Sequence, residues 1–237
     1  MRRGTLRARD SDSGLTMDGL TEVLDEAVQG FEASLNDEEE QEARQLMQEE
    51  GRDLTKETLL TYRFPLGLQR VALGPDQWGG RGVFAVRDIG RGELITCMPA
   101  DIAIHDASGD ELWGEHVAEE QFEDSHHHDT PLADYQISEG DDFTLVGLPS
   151  LCDDPSYLGQ FINDAEKLDV SGDVPPSQDD VSRYEAASEA GRNAEHTSLY
   201  LHMATVATRD IPAGEEVLVS YGADYWIEHA RRRKTEP

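Results

Sequence analysis

The chain of 237 residues carries 50 acidic against 20 basic side chains, a formal net charge of -30 and a hydrophobic content of 37%. That length and apolar content suffice for one domain with its own core. An acidic field repels phosphate backbones, which disfavours direct nucleic-acid binding and favours a basic protein partner. The two cysteines, Cys97 and Cys152, have no CxxC spacing, which excludes a disulfide framework and a cysteine-rich zinc site and indicates a reducing compartment.

Membrane and export signals are absent from the sequence. No apolar run approaches the roughly 18 residues of a spanning helix, and no signal-peptide core follows the basic start MRRGTLRAR. We therefore expect a protein that is neither secreted nor transmembrane, in the nucleus or the cytoplasm. The ARRRK near the end is too short and isolated to choose between the two compartments, and the oligomeric state stays open.

Residues 1–63 are predicted to form an acidic N-terminal extension. Apolar residues from Leu20 to Leu35 recur at three- and four-residue spacing with acids on the remaining face. This is the pattern of an amphipathic helix, which we expect over about residues 20–50. Its apolar stripe requires a surface to pack on, in this chain or in a partner.

After Arg63 the composition changes to Gly-rich, β-branched segments, which predicts a compact, mainly β domain over residues 64–227. Short strand candidates follow one another there, separated by Gly, Pro or Asp. They are VFAV, ELITCM, DIAIH, DYQIS, FTLVG, LYLHMATVAT and EEVLVSYG. The acidic stretch over residues 166–192 is interpreted as a long flexible insertion, and residues 228–237 as a basic C-terminal tail.

The run of His126, His127 and His128 lies in a second loop, over residues 123–131. Adjacent histidines in an extended stretch alternate faces and chelate poorly, and no spaced carboxylates complete a site. A solvated loop is favoured over a metal centre, and no metal cofactor is predicted.

One motif occurs twice. The stretch AVRDIGRGELI, residues 85–95, recurs with small changes as ATRDIPAGEEV, residues 207–217. In each copy an Arg-Asp-Ile corner is followed by a glycine four residues after the aspartate, which can supply the positive φ that a chain reversal needs. Each copy is therefore predicted to be a strand–turn–strand unit, and two distant copies are too few for a solenoid.

The flanks of the two copies carry three further motifs in order: WGGRGVF, residues 78–84; GQFINDA, residues 159–165; and VSYGADYW, residues 219–226. Together with the turns they resemble the motifs of SET-domain protein lysine methyltransferases. That family has a G-x-G run before V-F-A, an R-F-I-N-H-S segment and a Tyr-Gly pair. The resemblance spans about residues 78–226 and implies a β-clip SET fold of short strands and small sheets.

The resemblance implies that the cofactor is S-adenosylmethionine. Its expected contacts are Gly80, Arg81, Gly82 and Asn163, with Asp164 contributing main-chain atoms. Tyr221 is expected to be the catalytic residue and a further cofactor contact, where the lysine channel meets the methyl group. Aromatic faces hold an alkylated ammonium well. The candidates for the channel walls are Tyr135, Phe143, Tyr200, Tyr225 and Trp226.

The sequence departs from the family pattern at several points. Asp164 replaces the family's histidine, no tyrosine follows the strand ELITCM, and no cysteine-rich segment follows Tyr221. Either a short C-terminal helix through WIEHARRR or a partner is expected to close the channel. Asn193 is a candidate for the asparagine of the family's Pro-Asn or Asn-Cys pair.

Two functions fit these observations. The first is methyl transfer to the lysine ε-amine of a basic protein such as a histone or another Lys/Arg-rich protein, steered by the acidic field. The alternative is an inactive SET-like binding module or adaptor that holds a basic partner. The retained Asn163, Tyr221 and G-x-G favour the enzyme, and the missing histidine and tyrosine favour the module. The substrate lysine and the degree of methylation stay open.

Overall fold

The computed structural model describes residues 18, 19, 21, 22, 25, 29, 60–64, 66–118, 132–139, 143–170, 175–199 and 202–235. Of the N-terminal extension, residues 1–63, the structure describes six positions between 18 and 29, which are helical, and residues 60–63; the rest, with most of the helix expected over about residues 20–50, lies outside the described residues. The histidine run at 126–128 also lies outside it. Both remain predictions.

The two copies of the repeated motif pair with each other. Ile89 and Ile211 form an antiparallel bridge, in which each N–H donates to the other carbonyl at 2.9 and 2.8 Å. Other bonds between the copies recur in the reverse direction, so the pair has approximate twofold symmetry. These bonds join Gly214 N to Ala85 O (2.7 Å) and Gly92 N to Ala207 O (2.8 Å), and Ala213 N to Asp88 Oδ1 and Arg91 N to Asp210 Oδ1 (both 2.9 Å).

Each corner aspartate therefore caps the turn of the opposite copy. The predicted positive φ is confirmed at both turn glycines, which have φ values of 82° at Gly92 and 86° at Gly214. A side chain is disfavoured in this conformation, which explains why glycine ends both turns. The repeated motif thus encodes one two-part unit.

The strands form small sheets around this unit, which confirms the mainly β prediction. β1 (Val71–Pro75) and β2 (Arg81–Ala85) make an antiparallel pair. β3 (Leu94–Met98), β10 (His202–Ala207) and β9 (Ala194–Leu199) form a second sheet in that order. A third has the order β5 (Glu111–Trp113), β4 (Ile102–His105), β7 (Phe143–Val146), β6 (Gln136–Glu139). The short strands β8 (Asn163–Asp164) and β11 (Leu218–Val219) pair in parallel.

Two α-helices have their bounds within the described residues. The interpretation of residues 166–192 as a flexible loop is wrong for α1, which runs over Gln178–Gly191. Ser177 and Asp180 form a capping box at its start, since each side chain bonds the other's backbone N–H at 3.2 Å. The C-terminal helix expected through WIEHARRR is confirmed as α2, Ala223–Thr235, and it continues past position 227.

The main core lies beneath the paired turns. Its buried side chains come from β2, from both copies and from the segment before β8, among them Val83, Ile95, Ile162 and Val217. A separate cluster around Leu60, Met98 and Leu145 supports the four-stranded sheet. Among the described residues, no helix has the length and apolar character needed to cross a membrane.

Candidate functional site

The loop between β1 and β2 carries the G-x-G run and is held by one side chain. Asp76 Oδ1 accepts hydrogen bonds from the backbone N–H of Trp78 (2.8 Å) and of Gly80 (2.7 Å). Gly79 between them has φ 87°, a conformation that favours glycine. The loop is therefore built by Asp76 and its glycines together, and Asp76 was not among the residues predicted from sequence.

Asn163, at the start of β8, joins this loop to the second repeated turn. Its Nδ2, with two hydrogens to donate, lies within hydrogen-bond distance of three acceptors: Asp76 Oδ2 (3.2 Å), the carbonyl oxygen of Arg81 (3.1 Å) and Glu216 Oε1 (2.9 Å). A Cβ at Gly82 would lie 2.2 Å from Glu216 Oε1 and 3.1 Å from Asn163 Nδ2. A side chain at Gly82 would therefore displace the Glu216 carboxylate, and the predicted residues Gly82 and Asn163 do meet.

Glu216 is a further residue of the site that the sequence analysis did not select. Burial raises the pKa of its carboxyl group; the hydrogen bond from Asn163 lowers that pKa and the nearby charge of Asp76 raises it. The two carboxylates and the Arg81 carbonyl present acceptors to the same small space. A cation there would be stabilised, because it offsets the repulsion between Asp76 and Glu216.

The Arg81 side chain is engaged outside this acceptor group. Its guanidinium lies 4.3 Å from the centre of the Phe161 ring, a cation–π contact, and both terminal nitrogens approach the carbonyl of Pro149 at 3.5 Å. Arg81 therefore contributes its backbone carbonyl to the site and uses its side chain to pack the loop on the core.

Tyr221 follows β11 and lies next to the Asn163 segment. Its hydroxyl donates to the carbonyl oxygen of Ile162 at 2.5 Å. Its ring contacts Tyr225 edge-on, with centroids 4.6 Å apart, and stacks near Trp226 at 6.2 Å. Burial raises the pKa of Tyr221 well above its usual range, and the nearby Tyr225 and Asp164 act in the same direction. The hydroxyl thus stays protonated near neutral pH.

Asp164 is buried, and every partner it has in the described part of the chain is a neutral donor. Oδ2 accepts from the Tyr184 hydroxyl, from Trp226 Nε1 (2.8 Å) and from the backbone N–H of Tyr221 (3.2 Å). Oδ1 accepts from Ser188 Oγ at 2.7 Å and from the backbone N–H of Glu166 at 3.2 Å. Its side chain therefore contacts both helices, a role that the sequence analysis did not predict.

A family model described as the SET domain matches residues 80–222, more than half of the chain. The chain belongs to the SET domain family. The match includes the G-x-G loop, Asn163, both repeated turns and Tyr221. A search of curated proteins gives no match.

Several solved structures are similar to the chain. A candidate histone methyltransferase of Plasmodium falciparum is 18% identical, with a TM-score of 0.33, covering 66% of this chain and 96% of that one. CpSET8 from Cryptosporidium is 17% identical, with a TM-score of 0.37, covering 64% and 57%. The Polycomb Repressive Complex 2 of Chaetomium thermophilum bound to an inhibitor is 20% identical, with a TM-score of 0.34, covering 64% and 15%.

The predicted channel aromatics of this SET domain separate into two groups. Tyr135 packs on the same core cluster as Tyr221 and contacts Phe161 edge-on at 5.7 Å, and Trp226 and Tyr225 adjoin Tyr221 directly. Phe143, in contrast, is buried in the cluster under the four-stranded sheet, because its position on β7 faces that core. It is not brought to Tyr221. Tyr200 lies outside the described residues.

Asn193 holds the strand that carries Glu216. Its side chain is fully buried; Nδ2 donates to the Glu216 carbonyl (2.7 Å), and Oδ1 accepts from the N–H of Leu218 (2.8 Å). The Asn193 side chain thus satisfies backbone groups of Glu216 and Leu218 in the way that a paired strand would. Asn193 therefore positions β11 and the acceptor group next to it.

A cavity of about 520 Å³ lies between residues 167–170 and α2, with Trp226 in its wall. The ammonium of Lys167 lies over the ring of Trp78 at 4.3 Å and 5.9 Å from the ring centre of Trp226. Aromatic faces from the first and last motifs of the SET domain thus already hold a cation. Within the described ranges, no group of His, Cys, Asp and Glu residues is arranged to hold a metal ion.

Proposed function

We propose that this SET domain transfers a methyl group from S-adenosylmethionine to the ε-amine of a lysine in a basic protein, such as a histone. One observation carries the proposal: three consecutive residues each join a different part of the site. Ile162 bonds the Tyr221 hydroxyl, Asn163 bonds the G-x-G loop, and Asp164 bonds both the Tyr221 backbone and Trp226. A cofactor site and a tyrosine site are thereby held together.

The residues present fit the cofactor. Its amino acid part carries an ammonium and a carboxylate beside the sulfonium. Asp76, Glu216 and the Arg81 carbonyl form an acceptor group next to Gly82. Those three groups would accept hydrogen bonds from its ammonium, and Trp226 with its cavity would receive its adenine ring. When bound, S-adenosylmethionine supplies a methyl group activated by a sulfonium.

Tyr221 would orient the incoming amine. Its raised pKa keeps the hydroxyl protonated near neutral pH, so it cannot act as a general base, and its hydrogen is engaged with the carbonyl of Ile162. A lone pair of the hydroxyl oxygen is left to accept a hydrogen bond from the amine. The lysine must therefore arrive neutral, and the low dielectric of a channel lined by Tyr135, Tyr225 and Trp226 lowers its pKa.

The test is transfer of tritiated methyl groups to mixed core histones. We expect the wild type to label histones and Tyr221→Phe to label them about a hundredfold more slowly, since the amine is misaligned. Tyr157→Phe is the matched control, because its buried hydroxyl bonds only the backbone of Phe64 among the described residues. Labelling by Tyr221→Phe at the wild-type rate contradicts the role of Tyr221. Histone binding without labelling by the wild type favours the inactive module.

A further inference from the structure

The helix α1 and the Asp164 side chain are both features that the SET motifs do not explain. α1 lies in the stretch interpreted as an insertion, and Asp164 stands where the family has a histidine. Yet the buried residues of α1 are Tyr184 and Ser188, and the hydroxyl groups of both bond the Asp164 carboxylate. The two features in which this chain differs from the family, α1 and Asp164, are therefore bonded to each other.

A buried carboxylate is costly unless its lone pairs are filled. Asp164 is 1% exposed and makes no ion pair with any residue in the described ranges. Its charge is stabilised by donors alone, of which two come from α1 and one, the indole N–H of Trp226, comes from α2. Through these hydrogen bonds the carboxylate attaches both α1 and α2 to the end of β8.

Apolar packing also holds α1 and α2 together. Tyr184 and Ala223 share a buried cluster with Leu168, against which Val181 and Trp226 pack. This cluster joins α1, α2 and the wall of the cavity. It lies beside Tyr221, whose backbone N–H is the remaining donor from the reaction site to Asp164.

We propose that Asp164 is a positioning residue of the methyl-transfer site, and that α1, through Tyr184 and Ser188, belongs to the cap that holds Trp226 and Tyr221 in place. This inference rests on the proposed function. It also assigns a cap that needs no cysteine, as residues 222–237 contain none. On this proposal α1 is part of the site and not an appendage to it.

The donors around position 164 do not suit the histidine that the family has there. The indole N–H of Trp226 and the backbone N–H of Tyr221 can only donate, and a neutral imidazole offers one acceptor. Asp164→His, which restores the family residue, therefore leaves a buried donor without a partner. We expect Asp164→His to impair this protein even though it brings the motif closer to the family pattern.

The experiment compares Tyr184→Phe with the control Tyr157→Phe. Both changes delete one buried tyrosine hydroxyl, but only Tyr184 bonds Asp164. We expect Tyr184→Phe to lower kcat for histone methylation about tenfold, the scale of one hydrogen bond to a charged group, while the histone KM stays within about twofold. Tyr157→Phe is expected to lower the Tm by about as much as Tyr184→Phe does, but to leave kcat unchanged.

A second readout does not depend on activity. The indole N–H of Trp226 gives one nuclear magnetic resonance signal, assigned with Trp226→Phe. Tyr184→Phe and Asp164→His are expected to shift it, and Tyr157→Phe is not. An unchanged kcat and an unchanged indole signal in Tyr184→Phe overturn the positioning role. A wild type that binds no cofactor overturns the proposed function, whereas the indole signal still decides whether Asp164 connects α1 to Trp226.

Discussion

Alanine at Gly92 and at Gly214 tests the pairing of the two repeated turns. Both glycines have φ above 80°, and nothing lies within 4 Å of a Cβ added at either position. The cost is then purely conformational, about 1–2 kcal/mol of unfolding free energy for an L-residue in the left-handed region. Because the turns are related by approximate twofold symmetry, both substitutions should cost the same within about 0.5 kcal/mol.

Urea unfolding followed by tryptophan fluorescence measures this cost, with two glycines as controls. Gly90 has no positive φ and its added Cβ would meet only the Glu93 side chain, with Oε1 nearest at 3.4 Å, so Gly90→Ala should change stability by less than about 0.5 kcal/mol. At Gly159 an added Cβ would lie 2.7 Å from the Met98 backbone, so Gly159→Ala should cost about 3 kcal/mol. A cost below about 0.5 kcal/mol at Gly92, or a difference above about 1 kcal/mol between the two turns, refutes the reasoning.

Substitutions at three further positions are expected to change stability or cofactor binding. Burial lowers the pKa of His196 to about 4. The unfolded chain binds a proton that the native state excludes, so stability falls by up to about 3 kcal/mol as the pH drops from 6.5 to 4, and His196→Gln should remove this part of the slope in urea titrations. Asp101→Asn should cost about 3–5 kcal/mol by the same assay, because buried Asp101 pairs with Arg63 and His116, each at 2.7 Å. Gly82→Ala should weaken cofactor binding at least about tenfold in calorimetry, because its Cβ displaces Glu216.

The sequence predicts local features of this fold and leaves out the contacts between distant segments. The positive φ at Gly92 and Gly214 follows from turn chemistry and is confirmed. The pairing of Ile89 with Ile211 does not follow from it, because residues far apart in the chain meet only through the tertiary fold. Asp76 and Glu216 were missed for the same reason, since only folding brings both to Asn163.

α1 was missed because its sequence lacks an apolar stripe. Its buried residues are Tyr184 and Ser188, which are held by hydrogen bonds to Asp164 as much as by packing, so the usual apolar periodicity is weak. The signal that was present is the cap, a serine followed three residues later by an acid at Ser177 and Asp180. Phe143 was misplaced because aromatic residues in strands look the same whether they line a channel or a core.

Calorimetric titration of S-adenosylmethionine into the wild type and into Asn163→Ala tests the central claim most directly. We predict that the wild type binds one molecule per chain and that Asn163→Ala binds about a hundredfold more weakly with an unchanged circular dichroism spectrum, since Asn163 joins the G-x-G loop to Glu216. The absence of binding in the wild type, or equal binding in both, would contradict the assignment of this site to the cofactor.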